Sequence, residues 1–407
     1  QAYLGETVAR FGLAQQWKTR RPANEVAAHA SGDFLRRSAM FRARTLRQLA
    51  ARSARARRAL VGFDGFVDSI VTPVGLRRGP GEDFTPIPTL AELGARISAA
   101  AGMSTNLELH PRGDKLGGNG PIMANALLAL GSGLTYVGAL GRPALHPVFA
   151  DLAARARVFS LAEAAHTLAV ECRDGKLMLG RMRSLDEITY PRLAEVVGEE
   201  TLRAELAGAD LAAFVNWTMI PHLTAVLREL RGRIVAGLPD AAEARRYFFD
   251  LADPEKRAVA DLREALAEIA AFGAHGRVTL GLNLKEARQV ATAVGEAEPD
   301  EDEASLRGAA AALRTRLGVD TVVIHPRASA ACAGPEGTAW VPGPFTAEPR
   351  LTTGAGDHFN AGFATGQLLG LDAEGCLTLG VATSGHYVRT GESPDLPTLE
   401  TFLANWR

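Results

Sequence analysis

The sequence predicts an α/β fold built on a mostly parallel sheet with helices on both faces. Three observations carry that prediction. From Leu134 onward, short apolar runs rich in β-branched and aromatic residues alternate with longer amphipathic segments, the pattern of successive βαβ units. Ala59-Leu60-Val61-Gly62-Phe63 is apolar throughout instead of alternating with polar residues, as a strand covered on both faces requires. Near the end, Thr352 to Gly356 place small residues directly ahead of a helical run. There free φ angles let consecutive backbone N–H groups converge on an anion.

At 407 residues, 47% apolar, the chain can bury one large core, or a core and an appendage. No apolar run approaches the ~20 residues of a membrane span, so no membrane is expected as a partner. Cys172, Cys332 and Cys376 lie far apart without C-x-x-C, which indicates neither a disulfide framework nor a zinc site and fits a reducing, cytoplasmic compartment. No signal peptide with an apolar core is read, and Gln1 suggests that the true start lies upstream.

Residues 1–58 are expected to form a helical, basic N-terminal extension. Phe34, Leu35, Ser38, Phe41, Thr45, Leu46 and Leu49 recur near helical spacing with arginines opposite. Residues 1–60 hold 13 Lys and Arg against 3 Asp and Glu, although the whole chain has a net charge of −1. Such an arm can bind nucleic acid. The interleaved leucines and phenylalanines instead favour folding back onto an acidic body, so nucleic acid is not an expected partner.

The body, 59–407, opens with the strand ending at Phe63. Asp64 and Asp68 beyond it reach the crevice outside the strand's carboxyl edge and can accept hydrogen bonds from ligand hydroxyls. Capping carboxylates in a turn are an equal reading from spacing alone. A helix is expected over Leu90 to Ala101 and a strand over Ser104 to Leu109. Gly117 and Gly118 before a small-residue helix let a ligand approach the backbone, although a plain loop-to-helix entry is a serious rival for the glycines alone. Thr167–Cys172 and Leu177–Gly180 flank Asp174-Gly175, a tight-turn signal. Further strands are expected at Thr135–Ala139, Leu211–Asn216, Ile234–Leu238, Tyr247–Leu251, Val278–Leu282 and Thr321–Ile324. Helices are expected around 143–156, 191–207, 221–231, 254–272, 284–294, 303–317 and 373–390. Trp217 is expected to pack, although Asn216-Trp217 follows a strand and can line the crevice.

Asn283 and Glu286 open the helix after Val278–Leu282. They read either as a capping box or as groups holding water around Mg²⁺, and taken alone the cap is the stronger reading. Asp357 stands in the first turn behind Gly354-Ala355-Gly356. A carboxylate there would be repelled by a resting phosphate, so its use is to accept a proton from an attacking hydroxyl. For a bare G-x-G-D, an ordinary helix cap is the better account. No G-x-x-x-x-G-K-[ST], third Gly of a G-x-G-x-x-G, H-E-x-x-H or G-x-S-x-G is present.

The full string Thr352 to Phe363 resembles the signature D-T-T-G-A-G-D-x-F-x-x-G of the ribokinase-like (PfkB) carbohydrate kinases, with Leu351 in place of the leading Asp. The resemblance implies a ribokinase-like fold whose small β lid comes from parts of 69–116 and 165–182. It implies transfer of the terminal phosphoryl of a nucleotide to a hydroxyl of a sugar or sugar-like substrate, with Mg²⁺ as cofactor. ATP is the default donor, with ADP the alternative. Asp357 is then the base, and Gly354, Ala355 and Gly356 stabilise the transferring group. Asp68, Asp64, Gly118 and Asn119 hold the acceptor. Thr353 and Asn283 meet the nucleotide, and Asn283 and Glu286 reach the metal through water; Arg327, outside the family's pattern, is a further nucleotide-binding candidate that meets a phosphate or only solvent.

Two departures stand out. Ile122 takes the usual Asn place of the family's G-G-x-x-x-N, and His325-Pro326-Arg327 replaces T-x-G. Gly117–Asn125 and Gly62–Asp68 look closer to the ADP-dependent sugar kinases of the same superfamily. A catalytically silent sugar- or nucleotide-binding regulator is the alternative function, and a homodimer is an allowed assembly.

Overall fold

The computed structural model describes residues 32–52, 55–239 and 245–406. Fourteen strands are described: β1 (Arg57–Phe63), β2 (Phe66–Arg77), β3 (Phe84–Pro86), β4 (Leu109–Gly117), β5 (Ser132–Gly138), β6 (Arg157–Ser160), β7 (Ala165–Cys172), β8 (Gly175–Arg181), β9 (Leu211–Phe214), β10 (Arg246–Asp250), β11 (Arg277–Leu282), β12 (Thr321–Ile324), β13 (Ser329–Gly334) and β14 (Gly337–Pro342). Nine form one sheet in the order β14-β13-β12-β11-β10-β9-β1-β5-β6. It is parallel from β12 to β6, and β13 and β14 add an antiparallel edge.

Successive side chains in the central strands are apolar because each face of the sheet has its own helical cover. Leu60, Tyr247 and Phe249 enter one core with the helices Leu223–Arg233 and Val259–Ala271, while Ala59, Val61 and Phe248 enter the other with Asn119–Ala129 and Ala355–Leu369. This is the ribokinase-like α/β architecture that the resemblance implies.

The lid is a separate five-stranded sheet in which β2 pairs with β3, β4 and β7, and β7 pairs with β8. It springs from β1 through Asp64-Gly65. A Cβ on Gly65 would stand 2.0 Å from the Ala139 carbonyl oxygen, so the chain can cross here only without a side chain. The β7–β8 hairpin closes with Cys172 opposite Gly175, and Asp174 accepts from the Leu90 N–H at 2.6 Å, tying the hairpin to the helix Leu90–Ser98.

Several expected elements shift. Ile234–Leu238 is not a strand but the end of the helix Leu223–Arg233 and a following turn; Ile234 and Val235 are buried there, and a short apolar run reads alike in a buried helix end and a buried strand. The strand expected at Ser104–Leu109 begins only at Leu109. The helix expected over 191–207 breaks at Gly198, whose φ of 84° ends one helix and starts another. The strands β6, β13 and β14 and a last helix, Leu396–Asn405, were not expected.

The basic helix Gly32–Ala50 packs on Ala373–Thr390 and Leu396–Asn405, burying Phe41 and Leu49. Arg37 pairs with Glu303 at 2.8 Å and Arg44 with Asp372 at 2.6 Å, the fold-back onto acidic groups that the interleaved leucines favour. The portion of the basic segment over 1–31 lies outside the described residues. Among the described residues no helix is long and apolar enough to cross a membrane.

Candidate active site

Polar residues end or follow neighbouring strands at one edge of the large sheet: Asp64 after β1, Asn216 beyond β9, Asp250 at the end of β10, Asn283 after β11 and His325 after β12. This is the crevice that an open α/β sheet offers to ligands. The Thr352–Gly356 loop meets it with Gly354 at φ 88°, opening the helix Ala355–Leu369.

The loop is held from behind. The Tyr387 hydroxyl donates to the Thr353 carbonyl at 2.9 Å, and His358 Nδ1 lies 2.8 Å from the Gly354 carbonyl. Burial lowers the His358 pKa to about 4, so the ring is neutral. Its Nδ1–H donates to that carbonyl, and Nε2 accepts from the Ser393 hydroxyl at 2.8 Å. The ring also stacks on Tyr387 with centroids 3.6 Å apart.

Asp357 is 6% exposed, and its Oδ1 accepts from Asn119 Nδ2 at 2.9 Å. Burial pushes its pKa up to about 8; the Asn119 bond opposes the rise and the Asp64 and Glu286 charges add to it. The structure therefore joins the two glycine motifs, 238 residues apart, through one hydrogen bond.

Asp64 and Asp68 have different surroundings. Asp64 is fully buried: Oδ1 accepts from the Gly120 N–H at 2.9 Å and Oδ2 from Asn216 Nδ2 at 2.6 Å. Burial raises its pKa to about 6 against those bonds. Both oxygens are thus engaged within the protein, stapling the Gly117–Gly120 loop. Gly118, at φ 94°, passes so close that a Cβ would lie 2.8 Å from Asp64 Oδ2. Asp68, in β2, lies between Lys115 and Thr167 in register and lines a small pocket of about 40 Å³ with Ile122, Lys176, Thr353 and Tyr387. Burial raises its pKa, and the Thr167 hydrogen bond and the Lys176 charge oppose that.

Across the loop from this pocket opens a cleft of about 380 Å³ lined by Asn283, His325, Arg327, Thr352, Ala355 and Gly356. Thr352–Gly356 is thus the wall between the two cavities. Arg327 is exposed on the rim, whereas His325 is half-buried with its ring 4.5 Å from Phe359, and desolvation lowers its pKa to about 4. Trp217 packs in the core at 2% exposure.

Asn283 and Glu286 form the capping box: Asn283 Oδ1 accepts from the Glu286 N–H at 3.0 Å, and Glu286 Oε2 accepts from the Asn283 N–H at 2.8 Å. Glu286 Oε1 accepts from the Asp253 N–H at 2.9 Å, and burial raises the pKa of this carboxyl. Beside it lies Asp250, which sequence reasoning missed. Its Oδ2 accepts from Asn360 Nδ2 at 2.8 Å, while Oδ1 is buried without a partner. Its pKa is pushed well above the carboxylate range, by burial first and then by the Glu286 and Asp357 charges. The signal was a lone carboxylate ending the apolar run Tyr247-Phe248-Phe249. Orphaned buried oxygens on Asp250 and Asn360, among mutually repelling carboxyls, suit a hard cation. Among the described residues no three His, Cys, Asp or Glu side chains converge at direct-ligand spacing, so such an ion would be held largely through water and nucleotide oxygens.

Fold and site together define a ribokinase-like carbohydrate kinase. The ribokinase of Thermotoga maritima superposes with a TM-score of 0.56 at 18% identity, covering 86% of this chain and 100% of that one. Arabidopsis thaliana ribokinase, solved with ribose and ATP, superposes with a TM-score of 0.58 at 16% identity, covering 86% and 99%. The profile of the prokaryotic ketohexokinase family matches residues 37–406, and the chain belongs to that family. The ketohexokinase of Haloferax volcanii is 31% identical over 351 residues, 86% of this chain and 91% of that protein. The family match begins inside the helix Gly32–Ala50 and so takes in part of the basic segment.

Proposed function

We propose that this sugar kinase phosphorylates a ketohexose, with Asp357 as the base and a nucleoside triphosphate, ATP by default, as donor. The observation that carries the reading is the position of Asp357, in the first helical turn directly behind the Thr352–Gly356 wall between a nucleotide-sized cleft and a lid-covered pocket. The family match and the ketohexokinase relative support the acceptor class. ADP remains the alternative donor, supported by the motif likeness around Gly117–Asn125 and Gly62–Asp68. The silent-regulator alternative is not favoured beside these kinase relatives.

In this reading Asp68 accepts hydrogen bonds from acceptor hydroxyls, and Asp64 acts through the loop that presents Asn119. The acceptor oxygen attacks the terminal phosphorus. A new O–P bond forms, the bond to the departing nucleotide oxygen breaks, and the hydroxyl proton passes to the Asp357 carboxylate. The backbone N–H groups of Gly354 to Asp357 meet the charge on the transferring group. Asn283, Arg327 and Thr352 border the donor, whereas Thr353, expected from the motif to meet the nucleotide, lines the lid-side pocket. Asp250 and Glu286, with Asn283, are the groups that would hold Mg²⁺ through water. When bound, that ion neutralises the nucleotide phosphates.

The body 59–407 carries the catalysis, with 1–58 as an appendage to it. The three free cysteines fit a cytoplasmic setting. The β8 edge, exposing Leu177, Met178 and Leu179, is the place for a homodimer contact.

The test is Asp357→Asn. Transfer from ATP to a ketohexose is expected to fall by roughly 10²–10⁴-fold, while nucleotide affinity measured by calorimetry stays near wild type. Unchanged turnover would end the proposed mechanism.

A further inference from the structure

At the other end of the large sheet, the first residues of β10 and β11, Arg246 and Arg277, are register partners on adjacent parallel strands. In-register side chains on neighbouring strands project to the same face, so two guanidinium groups share one wall. They border a cavity of about 240 Å³ that also takes in Thr321, Cys332, Gln367 and Cys376. The cavity is separate from the catalytic crevice: Asp250 lies at the opposite end of β10, four residues or about 13 Å along the strand.

Arg246 is the group without an internal explanation. It is half-buried; its backbone N–H donates to the Asp210 carbonyl at 3.0 Å, but among the described residues no carboxylate or other acceptor takes its guanidinium N–H groups. Burial first and then the Arg277 charge lower its pKa, and the nearby Cys376 and Asp320 only partly oppose that. Two carboxylates line the same cavity. Asp320 Oδ2 accepts from the Val278 N–H at 2.7 Å, and Glu336 sits exposed on the β13–β14 turn. Neither forms an ion pair with Arg246. A guanidinium offers five donors and no acceptor, and in a partly desolvated wall it is matched by an oxyanion.

We propose that this cavity is a second anion site, which takes a phosphate group, free or carried on a small metabolite, against Arg246. Gln367 and Phe363 on its wall belong to the helix Ala355–Leu369, whose first turn carries Asp357, so an occupant touches the far end of the catalytic helix. The site stands whether or not the proposed acceptor is right, because none of its residues enters that reading.

Equilibrium dialysis with radiolabelled inorganic phosphate tests it, with a hexose phosphate as a parallel arm. Wild type is expected to bind one phosphate more than Arg246→Gln, and Arg246→Lys is expected to keep that extra site with weaker affinity. Preference for the hexose phosphate would assign the site to a phosphorylated metabolite, and equal binding would assign it to the phosphate group alone. Thermal unfolding of wild type supplies a measure that does not depend on the variant folding: phosphate should raise the melting temperature, and by less in any folded Arg246 variant. Equal stoichiometry in wild type and a folded Arg246→Gln, or no phosphate binding or thermal shift in wild type, overturns the proposal.

Discussion

At the scale of single residues, the chemistry depends on a carboxyl that the fold keeps from ionising easily. Burial raises Asp357 to about 8, so in the ligand-free enzyme the proton-accepting form grows in as pH rises. We therefore expect kcat/KM, which reports the free enzyme, to climb through pH 7 and level off above about 8. A profile flat from pH 6 to 9 would remove Asp357 as the base. The same shift fixes a stability dependence. A carboxyl whose folded pKa lies above its unfolded value of 3.8 stabilises the fold fully below that value. That contribution is lost as pH rises through about 8. Asp357→Asn has no proton to lose, so it should gain on wild type as pH rises from 6 towards about 8, by on the order of 1–3 kcal/mol, and gain no more above that. Urea unfolding of both proteins at pH 6 and pH 9 checks the sign: a stability gap that does not widen with pH would contradict it.

At the scale of elements, the loops mattered more than the helices that follow them. Gly118 needs its φ of 94°, and a Cβ there would press on Asp64 Oδ2. Gly118→Ala should push Asn119 off Asp357, lowering kcat/KM at least tenfold at a stability cost of about 1–3 kcal/mol. Gly356→Ala meets only His325 Cε1 at 3.5 Å, an ordinary contact, and should leave the melting temperature nearly unchanged. Comparing the two melting curves separates backbone necessity from mere smallness. The sequence made these loops legible because glycines and a following acid leave a local pattern. The central strands were legible too, since two covered faces demand unbroken apolar runs such as Tyr247-Phe248-Phe249. The strand Ser329–Gly334, one in from the sheet's edge, was not: Ser-Ala-Ala-Cys-Ala-Gly has no β-branched or aromatic residue to mark it. Asp64 read as a ligand group because its actual partners, Gly120 and Asn216, stand 56 and 152 residues away. Asp250 had no neighbour in sequence to announce it.

At the scale of the whole molecule, the two cavities beside the loop differ in a way that constrains the order of events. The cleft of about 380 Å³ can admit a nucleotide, whereas the lid-side pocket of about 40 Å³ holds roughly one water. A hexose therefore cannot enter the arrangement described; the lid sheet must swing away and return. It joins the body through Asp64-Gly65 after β1, where Gly65 lies against the Ala139 carbonyl, and again after β4, before β7 and after β8. Closure over the sugar would exclude water that competes for the phosphoryl group. Hydrogen exchange measures this directly. On adding a ketohexose, amides of β4 and β8 should slow, while those of β10 and β11 in the large sheet keep their rates. If saturating sugar leaves the lid amides exchanging as before, the lid does not close on the acceptor and the small pocket is not its site.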